Sequence, residues 1–490
     1  MYACPNCASN LKFSIEKQAL FCEACDTVVS PYDVVKDKDA NESSVYEVNI
    51  FTCPQCGGEI VTEDNEAAAF CSYCGGSTIL DSRLSTMQRP AYIIPFKKTK
   101  KDCVESYKKY VKHCIFAPKN MKEVANINSF RGIYMPFWTY ACSRSGPIDV
   151  EGTKSYRRGD YVFTDHYQIS SDLNSSYAGV SFDASSTFSD DLSEAIEPYD
   201  QSQMVQFTPS FLSGFYADAS DVPPQAYDGE VRKLVDSDCT DKLLSDQIYR
   251  GYTIKKDSVE KKMNHNINRA DLTMLPVWFM SYRVKDRGED RITYSVVNGQ
   301  TGKLTGDIPI DFKKYIIFSL ILSGGVFAIL YFLLGLNISR KIALVTAAAF
   351  SILVSVLRGR HIKNTAIHET GSDDLGVLFQ NRLKFEKDNG ADDEEAMNNA
   401  IRKSISIGKS KDKVIYHSNA KFFGIFTSVV AGLIYFINPN RDSIWYIADT
   451  VILLLSILQI ILMMASFNRL TTRKLPQFDR TGGDDSAKIR

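Results

Sequence analysis

Eight cysteines in the first 74 residues fall as four Cys-x-x-Cys pairs, and the pairs form two sets of identical spacing: Cys4, Cys7, Cys22, Cys25 and Cys53, Cys56, Cys71, Cys74. Each set has 14 residues between its pairs, and each cysteine of the first recurs 49 positions later. Four thiolates at tetrahedral geometry complete the coordination of a zinc ion, so each set is expected to hold one structural Zn2+ with no position left for water. Iron is the competing ion for a closed four-sulfur site. A module of about 25 residues buries too little apolar surface to fold alone, so metal binding should supply its folding energy, on the order of 10 kcal/mol. Loss of one cysteine is then expected to unfold that ribbon alone. Gly57, Gly58, Gly75 and Gly76 follow the cysteine pairs of the second set, where the turn favours positive φ. Ala8-Ser9 and Asp26-Thr27 stand at the same places in the first, which predicts less favourable turns there.

A chain of 490 residues is long enough for several domains. The pattern divides it into zinc ribbon 1 (1–35), a polar linker (36–49), zinc ribbon 2 (50–82), an α+β cytosolic domain (90–310), a transmembrane hairpin (315–357), a cytosolic loop insert (358–421), a second transmembrane hairpin (422–467) and a cytosolic tail (468–490). The fold class expected is therefore multi-domain: two small β zinc ribbons, an α+β soluble domain, and an α-helical membrane region of four spans in two hairpins. The linker core, Lys36 to Ser44, lacks apolar periodicity, so the ribbons read as separate modules. Cys103, Tyr107, Tyr110 and Cys114 share a helical spacing, and the two cysteines are expected to face a core. Trp278 to Lys285, Arg291 to Val297 and Lys303-Leu304, parted by Asp286-Arg287-Gly288-Glu289-Asp290 and by a turn beginning at Asn298-Gly299, predict a three-stranded meander. Pro136-Phe137-Trp138 and Pro276-Val277-Trp278 echo each other as related strands of one sheet.

Residues 315 to 336 are almost wholly apolar and as a helix would run roughly 33 Å, enough for a hydrocarbon core of about 30 Å. Residues 342 to 357, 422 to 437 and 444 to 467 supply three more spans. Basic residues collect before the first span (Lys313, Lys314), between the hairpins (among them Arg358, Arg360, Lys363 and Lys421) and after the last (Arg469, Arg473, Lys474). By the positive-inside rule both termini and the 358–421 insert should face the cytoplasm of a multi-pass cell-membrane protein. The reduced cysteines fit that compartment, and the N-terminus has no secretory signal pattern. In the insert, the acidic stretch 388 to 395 precedes a short helix ending near Ile405.

The chain's formal charge is −1, and residues 1–90 carry 6 basic against 13 acidic residues, −7 before any metal. Each four-thiolate zinc centre adds a further −2. Such a surface repels phosphate backbones, which makes nucleic acid an unlikely partner and protein recruitment the expected role. Catalytic patterns are missing: Gly408-Lys409-Ser410 resembles the end of a phosphate-binding loop, but Lys403 stands where its first glycine should be. His368-Glu369 has no second histidine to complete a zinc-protease helix, and His113 reads as a surface residue. Asp449, five residues inside the last span beside Trp445 and Tyr446, reads as an outer-headgroup carboxylate. Gly324-Gly325 in the first span reads as helix packing.

Cys53-Pro54-Gln55-Cys56-Gly57-Gly58, Cys71-Ser72-Tyr73-Cys74-Gly75, Tyr92-Ile93-Ile94-Pro95-Phe96, Gly132-Ile133-Tyr134-Met135-Pro136-Phe137-Trp138, Gly214-Phe215-Tyr216-Ala217-Asp218 and Val297-Asn298-Gly299-Gln300-Thr301-Gly302-Lys303 together resemble a bacterial family of membrane proteins with double zinc ribbons of the transcription-factor-IIB type, often mistaken for a replication-restart helicase. The resemblance covers about residues 1 to 335. It implies a cytosolic ribbon-bearing domain tethered to the membrane, in some relatives associated with phage-shock-type envelope-stress systems and with a PspA-like coat protein as partner.

The function expected is that of a non-enzymatic membrane adaptor presenting zinc ribbons to protein partners at the cytoplasmic face of the bilayer. The alternatives are a membrane-tethered nucleic-acid-binding regulator and a membrane enzyme or transporter working through the middle domain or Asp449.

Overall fold

The computed structural model describes residues 2–35, 45–62, 71–75, 81–122, 129–286, 288–334, 339–407 and 419–476. Its first ribbon is a small antiparallel sheet of β1 (Tyr2–Ala3), β2 (Asn10–Ser14), β3 (Ala19–Cys22) and β4 (Val28–Val29), in that spatial order. Alternation gives the sheet one apolar face: Leu11 and Phe13 of β2 are buried opposite Cys22 and Leu20 of β3. That face packs on Phe211 and Phe215 of the larger domain, with ring centroids 5.3 and 6.5 Å from Phe13. The backbone joins in as well, since Phe13 N–H donates to the Ser213 carbonyl at 3.0 Å and Ser213 Oγ donates to the Leu11 carbonyl at 2.6 Å.

The second ribbon lies inside a 13-stranded sheet. Its strands are β5 (Val45–Thr52), β6 (Glu59–Val61) and β7 (Asp81–Gln88). The chain continues with β8 (Tyr92–Ile93), α1 (Lys100–His113), β9 (Arg131–Arg158), β10 (Tyr161–Asp183), α2 (Asp190–Ile196), β11 (Val205–Gln206), β12 (Tyr216–Ala217), α3 (Asp228–Leu244), β13 (Thr253–Ile254), α4 (Lys256–Met263), β14 (Asn266–Asp286), β15 (Glu289–Asn298) and β16 (Leu304–Gly306). Two-residue β12 is the joint: Ala217 pairs with Tyr134 of β9 on one side and with Val61 of β6 on the other. The two ribbons thus lie in different sheets. Ribbon 1 is a docked sheet and ribbon 2 is part of the central one. Of the linker expected over 36–49, residues 45–49 already belong to β5, and 36–44 lie outside the described residues.

Local signals elsewhere match the structure. α1 starts at a capping box in which Asp102 N–H and the Thr99 side chain, and Thr99 N–H and the Asp102 carboxylate, satisfy each other. Of the two cysteines expected to face a core, Cys103 is buried in it beside Tyr107, and Cys114 is half-buried at the helix end and packs against the same cluster. β14, β15 and β16 form the expected meander. The echoed segments do lie in neighbouring strands of one sheet: Trp138 of β9 faces Leu272, and Trp278 of β14 faces Gly132. The long hairpin of β9 and β10, turning through Gly159 at φ 63°, had no counterpart among the sequence expectations.

Among the described residues four helices are long and apolar enough to cross a bilayer: α5 (Phe312–Leu334), α6 (Arg340–Thr370), α9 (Ala420–Ile437) and α10 (Asp442–Ala465). In chain order they make the expected two pairs, with residues 335–338 of the first connection outside the described residues. Their packing follows different lines. α6 lies against both α9 and α10, with Ser351 Oγ 2.9 Å from Thr427 Oγ1 and Ser355 donating to Gln459 Oε1 at 3.1 Å. Gly424 lets the backbones approach, because a Cβ there would meet Ser355 Cβ at 2.9 Å. None of Phe312–Ile329 of α5 is buried; its foot rests on the soluble domain through Phe116, whose ring lies 5.2 Å from Tyr315.

Between the spans, α7 (Leu375–Asp388) and α8 (Asp393–Ile407) pack as a helical pair on the soluble domain, placing Leu375, Phe379 and Ala400 in one core with Trp138, Tyr140 and Tyr227. The expected short helix is α8; α7 and the run of α6 out to Thr370 were not foreseen. After α10 the chain returns to the sheet, where β17 (Arg473–Lys474) pairs with β15. Arg291 of β15 is 1% exposed and secures this return: Nε donates to Thr472 Oγ1 at 2.8 Å, and its terminal nitrogen donates to the Thr472 carbonyl at 2.8 Å and pairs with Glu369 of α6.

Candidate metal centres

Each cysteine pair occupies a tight turn built by the same kind of backbone bond. In ribbon 1, Ala8 N–H donates to the Cys4 carbonyl at 2.8 Å and Cys4 N–H to the Ser9 carbonyl at 2.7 Å; in ribbon 2, Gly57 N–H donates to the Cys53 carbonyl at 2.8 Å and Cys53 N–H to the Gly58 carbonyl at 2.9 Å. The second pairs follow suit, with Asp26 N–H to the Cys22 carbonyl at 2.9 Å and Gly75 N–H to the Cys71 carbonyl at 3.0 Å. All four turn residues are left-handed: Ala8 at φ 59°, Asp26 at 57°, Gly57 at 75° and Gly75 at 66°. Ribbon 1 thus holds two side-chain-bearing residues in a conformation that glycine adopts without penalty. Gly76 lies outside the described residues.

These turns bring all four sulfurs of each set within 4.8 Å of one another. The Cys4–Cys25 and Cys7–Cys22 sulfurs are 3.6 and 3.4 Å apart, and the Cys53–Cys74 and Cys56–Cys71 sulfurs 3.8 and 3.7 Å. A tetrahedron with metal–sulfur bonds of about 2.3 Å has edges of about 3.8 Å, close to these separations, so both sets suit a Zn(Cys)4 centre. The thiols show the same need for a cation. Cys56 and Cys71 are driven far above the ordinary thiol range, chiefly by the neighbouring Cys53 sulfur, while Cys53 itself falls to about 6, chiefly through its hydrogen bond with Cys56. In ribbon 1, Cys25 falls to about 6, chiefly through Thr27, whose Oγ1 is 3.0 Å away, and Cys22 rises to about 11 through burial. Four crowded sulfurs cannot all ionise alone; a dication makes it possible.

The surroundings of the two sets differ. All four cysteines of ribbon 2 are buried, among Ile133, Phe279, Ile292 and Tyr294. Arg283 of β14 donates to the Cys74 carbonyl at 2.5 Å and to Gln55 Oε1 at 2.9 Å, and Tyr294 of β15 donates to the Tyr73 carbonyl at 2.9 Å. Gly58 N–H points at the Cys56 sulfur from 3.4 Å. In ribbon 1, Cys7 is exposed and Cys25 half-buried. The remaining cysteines, Cys103, Cys114, Cys142 and Cys239, join neither set.

No family model matches the chain, and no solved structure matches it. The uncharacterized protein YdjG of Bacillus subtilis (strain 168) is 30% identical to it over 331 residues, which are 66% of this chain and 95% of YdjG. The chain belongs to the YdjG family. Nearly all of YdjG is matched, whereas about a third of the present chain lies outside the match, so this member carries substantial sequence beyond what it shares with YdjG.

The other candidate positions bring together less. Gly408-Lys409-Ser410 lies outside the described residues. Asp449 is half-buried on α10, with one carboxyl oxygen shielded and unbonded among the described residues. His113 is exposed and bonds the Lys109 carbonyl of its own helix at 2.7 Å. A Cβ added at Gly324 or Gly325 would meet nothing within 4 Å, so no helix contact among the described residues depends on either glycine. His368 is the exception: its neighbours are two aspartates from outside its own helix, which no local motif shows.

Proposed function

We propose that this protein is a membrane-anchored, non-enzymatic adaptor whose two zinc ribbons present a protein-binding surface at the cytoplasmic face. The observation that carries the reading is the closed geometry of the metal sets. Four sulfurs with edges near those of a tetrahedron leave no coordination position for a substrate or a catalytic water. Cys4, Cys7, Cys22, Cys25, Cys53, Cys56, Cys71 and Cys74 are the ligands in this reading, and zinc is the ion. The −7 charge of residues 1–90 favours a protein over a nucleic-acid partner. The distribution of basic residues around the spans favours cytoplasmic ribbons, tail and 358–421 insert. On the strength of the resemblance, envelope-stress components such as a PspA-like coat protein are the first partners to look for.

The test is a pull-down of full-length protein in mild detergent, comparing wild type with Cys4→Ser/Cys7→Ser. Ribbon 1 is the exposed, docked module, so its partners should disappear while ribbon 2 keeps its metal. An unchanged partner list would count against recruitment through ribbon 1. Binding to DNA that weakens steeply with salt would instead favour a tethered nucleic-acid-binding regulator.

A further inference from the structure

The C-terminal end of α6 and the N-terminal end of α2 are far apart in sequence and meet at the junction of membrane helices and soluble domain. There Asp191 of α2, His368 of α6 and Asp373 of the following loop place one ligand atom each within 4.8 Å of one another. The frame beneath them is fixed by residues one position away. Asp190 accepts from Leu375 N–H at 2.9 Å, while Asp374 accepts from Asp190 N–H at 3.4 Å and from Val377 N–H at 2.9 Å. Asp190 and Asp374 are 2% and 5% exposed, so this reciprocal cap locks α2 to α7 and with it the spacing of Asp191 and Asp373. Gly371 at φ 62° ends α6 in a left-handed cap, with its N–H directed to the His368 carbonyl at 3.4 Å, and fixes the third member.

The frame therefore holds two carboxylates and an imidazole together before any ligand arrives. Nε2 of His368 is shielded from solvent and meets no hydrogen-bond partner among the described residues. Glu369 is engaged by Arg291 and Lys474, and His368 feels the charges of Asp373 and Asp191 on one side and of Arg473 on the other. Asp191 is exposed, which gives an entry path.

We propose that Asp191, His368 and Asp373 form a third metal site, unlike the ribbons in kind. One nitrogen and two carboxylate oxygens suit a divalent first-row ion such as Mn2+ or Zn2+, with water in the open positions; Ca2+ would call for six or more oxygens. Because its ligands come from α2 on one side and from α6 and its following loop on the other, a bound ion clips the cytoplasmic end of α6 to the soluble domain.

Mn2+ separates this site from the ribbons, since four-thiolate sets hold zinc and disfavour Mn2+. Full-length protein in detergent, without a polyhistidine tag and stripped of weakly held metal until elemental analysis gives two zinc ions per chain, is titrated with Mn2+ while the free-ion EPR signal is followed. One tight equivalent is expected in wild type, weakened by more than about tenfold in His368→Ala and in Asp373→Asn. Retention of two ribbon zinc ions, by elemental analysis, shows that each variant is folded. Asp191→Asn is the further variant should either fail that check, because Asp191 is exposed. No tight equivalent in wild type, or equal binding in the folded variants, overturns the proposal.

Discussion

Ribbon 1 and ribbon 2 share their cysteine spacing, their turn hydrogen bonds and their left-handed turn positions, yet one is docked on the domain and the other is built into its sheet. In ribbon 1 the metal set stands beside a small sheet with one exposed cysteine. In ribbon 2 the same set is enclosed by the central core and tied to β14 and β15 through Arg283 and Tyr294. One coordination chemistry therefore has two structural roles. A metal bound in ribbon 1 would hold a surface module, and one bound in ribbon 2 a wall of the core.

The largest expected effect comes from breaking each set in turn. Cys53→Ser/Cys56→Ser should remove metal binding worth on the order of 10 kcal/mol from the main core, so limited proteolysis should open the 90–310 domain. Cys4→Ser/Cys7→Ser should leave that domain protected and release only residues 1–35. Equal protection in both variants would erase the distinction between the ribbons. A second difference should appear in wild type on adding a chelator: one zinc ion leaves early and the other late, because Cys7 is exposed and the ribbon 2 sulfurs are buried. Site identity follows from repeating the release with Cys4→Ser/Cys7→Ser, where the early phase should vanish.

Arg283→Ala is the next step down. It deletes charge-assisted bonds to the Cys74 carbonyl and Gln55 and should cost about 2 kcal/mol, read in a denaturant melt and in faster release of the late zinc alone. The smallest effect tests the turns themselves. Ala8→Gly should stabilise ribbon 1 by about 1 kcal/mol, and Gly57→Ala should cost ribbon 2 a similar amount, because both positions are left-handed. If the two substitutions shift zinc release in the same direction, the turns are not equivalent after all.

Those turns were legible in the sequence because the constraint is local: four residues fix a knuckle, and glycine or its absence is visible at a known offset. The four apolar helices and the β14–β16 meander were legible for the same reason. What escaped notice depends on pairs distant in sequence. The fusion of ribbon 2 into the sheet rests on Ala217 facing Val61, and β12 is only two residues long, too short for any period to register. The outer half of the β9–β10 hairpin is exposed on both faces, with Tyr161 74% and Val162 69% exposed, so burial imposes no alternation to read. His368 looked like half a motif because its neighbour Asp191 lies in a different element, more than a third of the chain away.

The return of the chain from α10 to β15 also bears on biosynthesis. Arg291 is made long before Thr472, and both of its Thr472 bonds, along with the β15–β17 pairing, come from residues that leave the ribosome only after the last span. Until then a guanidinium destined for burial lacks most of its acceptors, at a cost of several kcal/mol if it were buried early. The large sheet is therefore completed last, after all four hydrophobic segments have been synthesised. A chain truncated or stalled before Thr472 would keep an unfinished sheet edge, a visible mark by which quality control could tell it from the mature protein.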